Sequence, residues 1–234
     1  MHAARKLFVT VTWACAAGAA SAYFLPDYGT YGAPMSSFIS SNSLATQAGM
    51  SAARAGRHSP AAAVSSQARP VPVVGKGQPI APRKLAAGYP AAHRQQAEAL
   101  FVKTLQGYRD IEAKFRIPAG DMAGAMAAFV AGNYIAYRDE PFPDAHFPRL
   151  VQQMRSALGG TAALGGASAS DKREMYESLA ILGTYMALTR EALQQSPDAN
   201  LKAGMQRSAR AYLEQFLRID PDRMRIGPEG LTVN

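Results

Sequence analysis

Cysteine is almost missing from this chain: one thiol, Cys15, occurs in 234 residues, beside a single tryptophan, Trp13. Both fall in the first 22 residues, so a mature chain lacking that segment has no thiol. Disulfide stapling, thiol nucleophiles and cysteine metal sites are then excluded, and the fold must rest on apolar burial. Acidic residues are scarce in the front third: Asp27 is the only one between residues 23 and 90, against six basic residues. The remainder, 91–234, carries 17 Lys and Arg against 16 Asp and Glu, so the excess charge belongs to the front of the chain. A near-neutral folded part lacks the basic face that nucleic-acid recognition needs, so no nucleic-acid partner is expected.

The first 22 residues have the order of a secretory signal. Arg5 and Lys6 precede an uncharged apolar run from Leu7 to Ala20, and Ala20-Ser21-Ala22 offers small residues at the cleavage positions. A permanent anchor would need about 20 apolar residues, and this run is shorter. Lipidation at Cys15 is disfavoured by Thr12 and the bulky Trp13 upstream. Residues 1–22 are therefore expected to be removed, leaving a periplasmic or secreted chain with no transmembrane segment after processing.

Residues 23–90 are rich in Ala, Ser, Gly and Pro. The run Arg69-Pro70-Val71-Pro72-Val73 and onward to Pro82 has proline too often for a helix, and such composition predicts a disordered, extended basic linker. One stretch, 35–54, can form a weak helix with Met35, Phe38, Ile39 and Leu44 on one side, able to dock on the domain, but its Ser and Gly content argues against stable structure. Six charges spread over this length make no defined binding motif.

From residue 91 to 234 the apolar period becomes helical, and an all-α bundle of about five helices is expected. They run over 91–115, 122–138, 144–158, 172–195 and from 197 to a stop before Pro221. Asp121 is a fitting N-cap for the second. Asp171 with Glu174 reads as a capping box for the fourth, and Ser196-Pro197-Asp198 as the start of the fifth, with Ser196 the cap and the acid beside the positive helix end. Gly159 to Ser170 is a small-residue loop. No stretch alternates long enough for a strand, and Arg223 to Leu231 is expected to be an extended tail over the bundle. Gly132-Asn133-Tyr134 and Gly183-Thr184-Tyr185 echo each other 51 residues apart, each in mid-helix. Glycine there costs about 1 kcal/mol relative to Ala, a penalty that makes sense if each lets a neighbouring helix approach. The second and fourth helices are thus expected to be the central pair, with Gly132, Tyr134, Gly183 and Tyr185 at their crossing or lining a groove.

Phe129-Val130-Ala131-Gly132-Asn133-Tyr134, Leu179 to Leu188 and Tyr212-Leu213-Glu214-Gln215-Phe216-Leu217 resemble an uncharacterised bacterial family of exported helical domains, over roughly residues 95–230. The resemblance implies a helical fold and an extracytoplasmic setting, and no activity. Ala211 to Asp222 also resembles the end of a tetratricopeptide repeat, but the echo at 51 residues is not the 34-residue period of such arrays.

Asp139, Glu140, Asp144 and His146 cluster around a proline-bounded loop and offer the residue types of acid–base or metal chemistry. One histidine with scattered acids has no ligand spacing, and an acid in a first helical turn also serves the helix dipole. There is no phosphate-binding glycine loop and no nucleophile elbow. No cofactor or metal is expected. The sequence points to an exported non-catalytic helical module that binds a protein or cell-envelope partner. The alternatives are an enzyme using the four loop residues and a surface-attachment domain held by its basic linker. Export with processing after Ala22 predicts that N-terminal sequencing of the mature protein begins at Tyr23.

Overall fold

A computed structural model describes residues 43–57, 69–73, 77–159, 164 and 166–234. The expected signal segment with Cys15 and the apolar residues Met35, Phe38 and Ile39 lie outside the described residues, as does the side chain of Leu44. In chain order the elements are α1 (Ser43–Arg57), α2 (Ala81–Ala86), α3 (Arg94–Lys114), α4 (Met122–Arg138), α5 (Phe147–Gly159), α6 (Ala169–Gln195) and α7 (Ala199–Leu217). An antiparallel hairpin of β1 (Met224–Gly227) and β2 (Gly230–Val233) follows. The class is all-α, with this small hairpin as the sheet among the described residues.

Local chemistry sets the helix ends. The Asp121 side chain caps α4 by accepting from the Ala123 N–H. A turn of 3-10 helix after Pro90 occupies Ala91–His93, so α3 begins at Arg94, three residues later than expected. Two expected caps are replaced by neighbours. Ser168, not Asp171, opens α6: its hydroxyl accepts from the Asp171 N–H at 3.1 Å and donates to the Asp171 carboxylate at 2.7 Å. At α7 the cap is Asp198, accepting from the N–H groups of Asn200 and Leu201, while Ser196 and Pro197 stay outside the helix. A carboxylate reaching two donors outcompetes a hydroxyl reaching one.

Helix α4 is apolar all round, as a helix surrounded by others must be. It packs on α5, α6 and α7. Its crossing with α6 is a contact of main chain on main chain. A Cβ at Gly132 would lie 2.6 Å from the Gly183 carbonyl carbon, and one at Gly183 would lie 2.5 Å from the Phe129 Cα. Around this point Phe129 meets Phe216 of α7 at 4.8 Å between ring centroids, and Tyr185 meets Phe101 of α3 at 6.1 Å.

The expectation of a disordered linker over 23–90 is corrected for the described part of that range. Helix α1 docks on α5, α7 and the hairpin through Ala45, Ala48, Gly49, Ala52, Ala53 and Gly56, all buried. A Cβ at Gly49 would stand 2.6 Å from the Phe216 carbonyl carbon, so α1 also lies backbone-close to its neighbour. Small residues bury little area each, but they admit close packing along a whole helix face. Residues 69–73 form an extended strap whose Pro72 bridges Asp121. Helix α2, with a proline in its first turn, buries Leu85 and Ala86. The expected extended tail is likewise corrected: it folds back as β1 and β2. Pro228 suits the first turn position, and Gly230 takes the positive φ of 93° that follows.

Replacing Gly132 by Ala should destabilise the protein by about 3 kcal/mol or more, the upper end of overpacking costs, in urea denaturation. Gly159→Ala, where the added carbon meets nothing within 4 Å, should be neutral or stabilising by up to about 1 kcal/mol.

Candidate functional site

The four loop residues do not converge. Asp139 sits just past α4 with a left-handed φ of 54°. Its carboxylate accepts from Arg190 Nε at 2.8 Å, Lys202 Nζ at 2.6 Å and Gln194 Nε2 at 3.0 Å, while Arg190 also donates to the Asp139 carbonyl at 3.0 Å. This set joins α4, α6 and α7 at one end of the bundle. The Lys202 ammonium, followed by the Arg190 guanidinium, holds the Asp139 carboxyl below the usual carboxylate range. Its stabilisation is therefore present at neutral pH and lost as pH falls through that lowered value. Asp144 pairs instead with Lys114 at 2.6 Å. Glu140 is exposed, and His146 stands edge-on to Phe142 at 6.1 Å. Among the described residues no three His, Cys, Asp or Glu side chains stand together as a cation site.

The glycine and tyrosine set lies in the core. Gly132 is closed against the backbone of Gly183 and Gly183 against that of Ala128 and Phe129, and Tyr134 and Tyr185 are buried in the same core.

The dense polar geometry is elsewhere, and of its groups the sequence had marked Asp121 alone, as a helix cap. Glu177 of α6 is buried, and one carboxylate oxygen accepts from the N–H groups of Ile80 and Ala81 at 2.7 and 2.9 Å. The other accepts from Arg173 Nε at 2.8 Å, and Arg173 also donates to the Gly77 and Gln78 carbonyls at 2.9 and 2.8 Å. One ion pair thus grips the backbone leading into α2 from both sides. Asp121 does the same for the strap: its carboxylate accepts from the Val71 N–H at 3.1 Å and from Arg155 at 2.7 Å. Val71 C=O in turn accepts from the Met122 N–H at 3.0 Å, and Val73 N–H donates to Gly120 C=O at 2.8 Å. Buried Gln153 of α5 acts as a strand partner for β2, accepting from the Leu231 N–H at 2.7 Å and donating to its carbonyl at 2.8 Å. Near the hairpin, the Tyr137 hydroxyl donates to Asp222 at 2.5 Å and accepts from Arg210 at 2.6 Å. Arg138 and Arg210 both lie over the Tyr137 ring, at 5.3 and 5.6 Å.

Each buried acid or amide therefore carries main-chain donors of an arm that would otherwise be desolvated without partners. The chemistry of this arrangement is adhesive. Sequence patterns could have flagged Arg173 and Glu177 as an i,i+4 pair, but their partners lie about a hundred residues away in the chain.

The docked arm also places charge. From residue 43 to 90 the chain has six basic residues and no acid. Arg54, Arg57, Arg69 and Arg83 are exposed on it. On α1, Met50, Arg54 and Arg57 fall on one outward stripe, and Met50 is 38% exposed.

A family profile described as a family of unknown function (DUF6683) matches residues 3–234. No curated protein and no solved structure matches the chain.

Truncating Glu177 to Ala removes the acceptor of two main-chain donors and breaks the ion pair with Arg173. The expected loss is about 3–5 kcal/mol, the cost of breaking a buried pair, read by urea denaturation. Amide exchange at Ile80 and Ala81 should quicken with it.

Proposed function

We propose, for a chain that belongs to the DUF6683 family of unknown function, that it is an exported non-catalytic helical module that binds an anionic cell-envelope surface through its folded basic arm. The observation that carries this reading is the acid-free stretch from 43 to 90, whose α1, strap and α2 pack on a body of nearly balanced charge. A basic segment held on a rigid body loses less freedom on binding than a loose one, so its charges act together. On α1, Met50 beside Arg54 and Arg57 supplies an apolar contact next to cations, a combination suited to a lipid–water interface. Export rests on the signal-like order of residues 1–22 and makes the periplasm or the cell exterior the setting. Among the described residues no helix is long and apolar enough to cross a membrane, so attachment by the arm would be peripheral.

The partition of acidic groups supports a binding role over a catalytic one. Asp139 and Asp144 lie in separate ion pairs, and the buried carboxylates serve main-chain donors.

The test is flotation of the mature chain with vesicles of phosphatidylglycerol or of neutral phosphatidylcholine. A second arm uses pelleted cell-wall material. Each basic residue near an anionic surface contributes about 1 kcal/mol, so changing Arg54, Arg57, Arg69 and Arg83 together to Gln should weaken binding by at least about tenfold. Raising the salt to about 0.5 M should do the same, because screening shortens to a few ångströms. Binding that ignores both, or no binding to either material, would contradict the proposal.

A further inference from the structure

The arm is split over the bundle. Helix α1 rests on α5, α7 and β2, whereas α2 rests on α3 and α6. The two sides differ in charge. With its three supports α1 carries seven basic residues and a single acid, Glu214, while α2 with its two supports carries nine basic residues and seven acids. On the α1 side Arg149, Arg155, Lys202 and Arg210 are taken up in ion pairs, and Arg54, Arg57 and Arg207 stand exposed. On the α2 side Lys84 is itself paired with Glu174.

Gln47, Met50, Arg54 and Arg57 are all exposed, and their spacing by three and four residues makes them one outward stripe of α1. The inward face is Ala and Gly, seated so close that a Cβ at Gly49 would lie 2.6 Å from the Phe216 carbonyl carbon. Such a face has little apolar area to offer an acyl layer, so the outward stripe is the one that can meet a surface. A cell-wall polymer has phosphates but no apolar layer. Met50, 38% exposed beside two cations, is the feature that favours lipid.

Resting on the binding role proposed above, we propose that α1 is the contact element and that its partner is the headgroup layer of a bilayer rich in anionic phospholipid. Arg54 and Arg57 meet lipid phosphates through paired N–H donors. Met50 enters the boundary between headgroups and acyl chains, and α1 lies flat on the bilayer. A flat surface touches one side of a rigid bundle at a time, so the α2 side is turned away. Arg83 then acts from a distance, drawing the chain in through its field.

The experiment attaches the environment-sensitive fluorophore NBD to single cysteines in the mature chain, which has no thiol of its own. The sites are Met50→Cys and, as a reference, Val102→Cys on α3, where Val102 is 45% exposed. With phosphatidylglycerol vesicles the emission at 50 should brighten and shift to the blue, and that at 102 should stay unchanged. Arg54→Gln together with Arg57→Gln should weaken flotation by about tenfold, and Met50→Gln by about fivefold. Flotation with no shift at 50, with an equal shift at 102, or undiminished by the two Arg substitutions would overturn α1 as the contact and leave the anionic-surface reading standing. Binding confined to pelleted cell-wall material, or indifferent to Met50→Gln, would overturn the lipid partner. No binding to either material would remove the reading and this inference together.

Discussion

The backbones of α4 and α6 touch where Gly132 faces Gly183, and the rest of the bundle is arranged around that contact. A helix apolar on every side has to be enclosed, and the strongest enclosure brings a neighbour in without intervening side chains. Once α6 lies that close, aromatic rings fill the wider gaps on either flank. Phe129 reaches Phe216 of α7 and Tyr185 reaches Phe101 of α3. The glycine penalty in mid-helix is offset by dispersion contacts along two main chains.

Beyond the core, the architecture is held by a different interaction. Backbone groups of the strap at Val71, of the entry to α2 at Ile80 and Ala81, and of the outer edge of β2 at Leu231 are met by side chains in place of sheet partners. Asp121, Gln153 and Glu177 replace those partners, each from a helix or helix end buried under the segment it holds. Such groups are expensive to desolvate, and an arm that satisfied only some of them would be worse than none. The strap and α2 dock through these groups and α1 through its small-residue face, and with them a stretch carrying positive charge and no acid is fixed to a nearly neutral body. Arm packing and surface charge are thereby linked, which is the connection between the fold and the binding role proposed for it.

The helical class, the bounds of α4 and the pairing of α4 with α6 were legible in the sequence because each leaves a local mark. Asp121 caps, residues 122–132 carry no polar side chain, and two glycines sit at costly positions. The docking of α1 left only the trace of a weak helix over 35–54, read on Met35, Phe38, Ile39 and Leu44: the Ala45, Ala48, Ala52 and Gly56 that make the contact are as common in linkers as in close-packed helices, and only the partner surface distinguishes the two. The hairpin was hidden because strands of four residues are too short to show alternation. The carboxylate latches were hidden because their partners are main-chain groups, which no residue type announces. Asp139 was noticed for the wrong neighbours. Its loop companions Glu140, Asp144 and His146 are close in sequence, while Arg190 and Lys202 reach it through the fold.

The most direct measurement of the central contact is the proton–proton distance across it. Because α4 and α6 meet without side chains between them, a strong NOE is predicted between a Gly183 Hα and the Phe129 Hα. Absence of that cross-peak, with intense ones in its place from side chains lying between the two helices, would contradict the account.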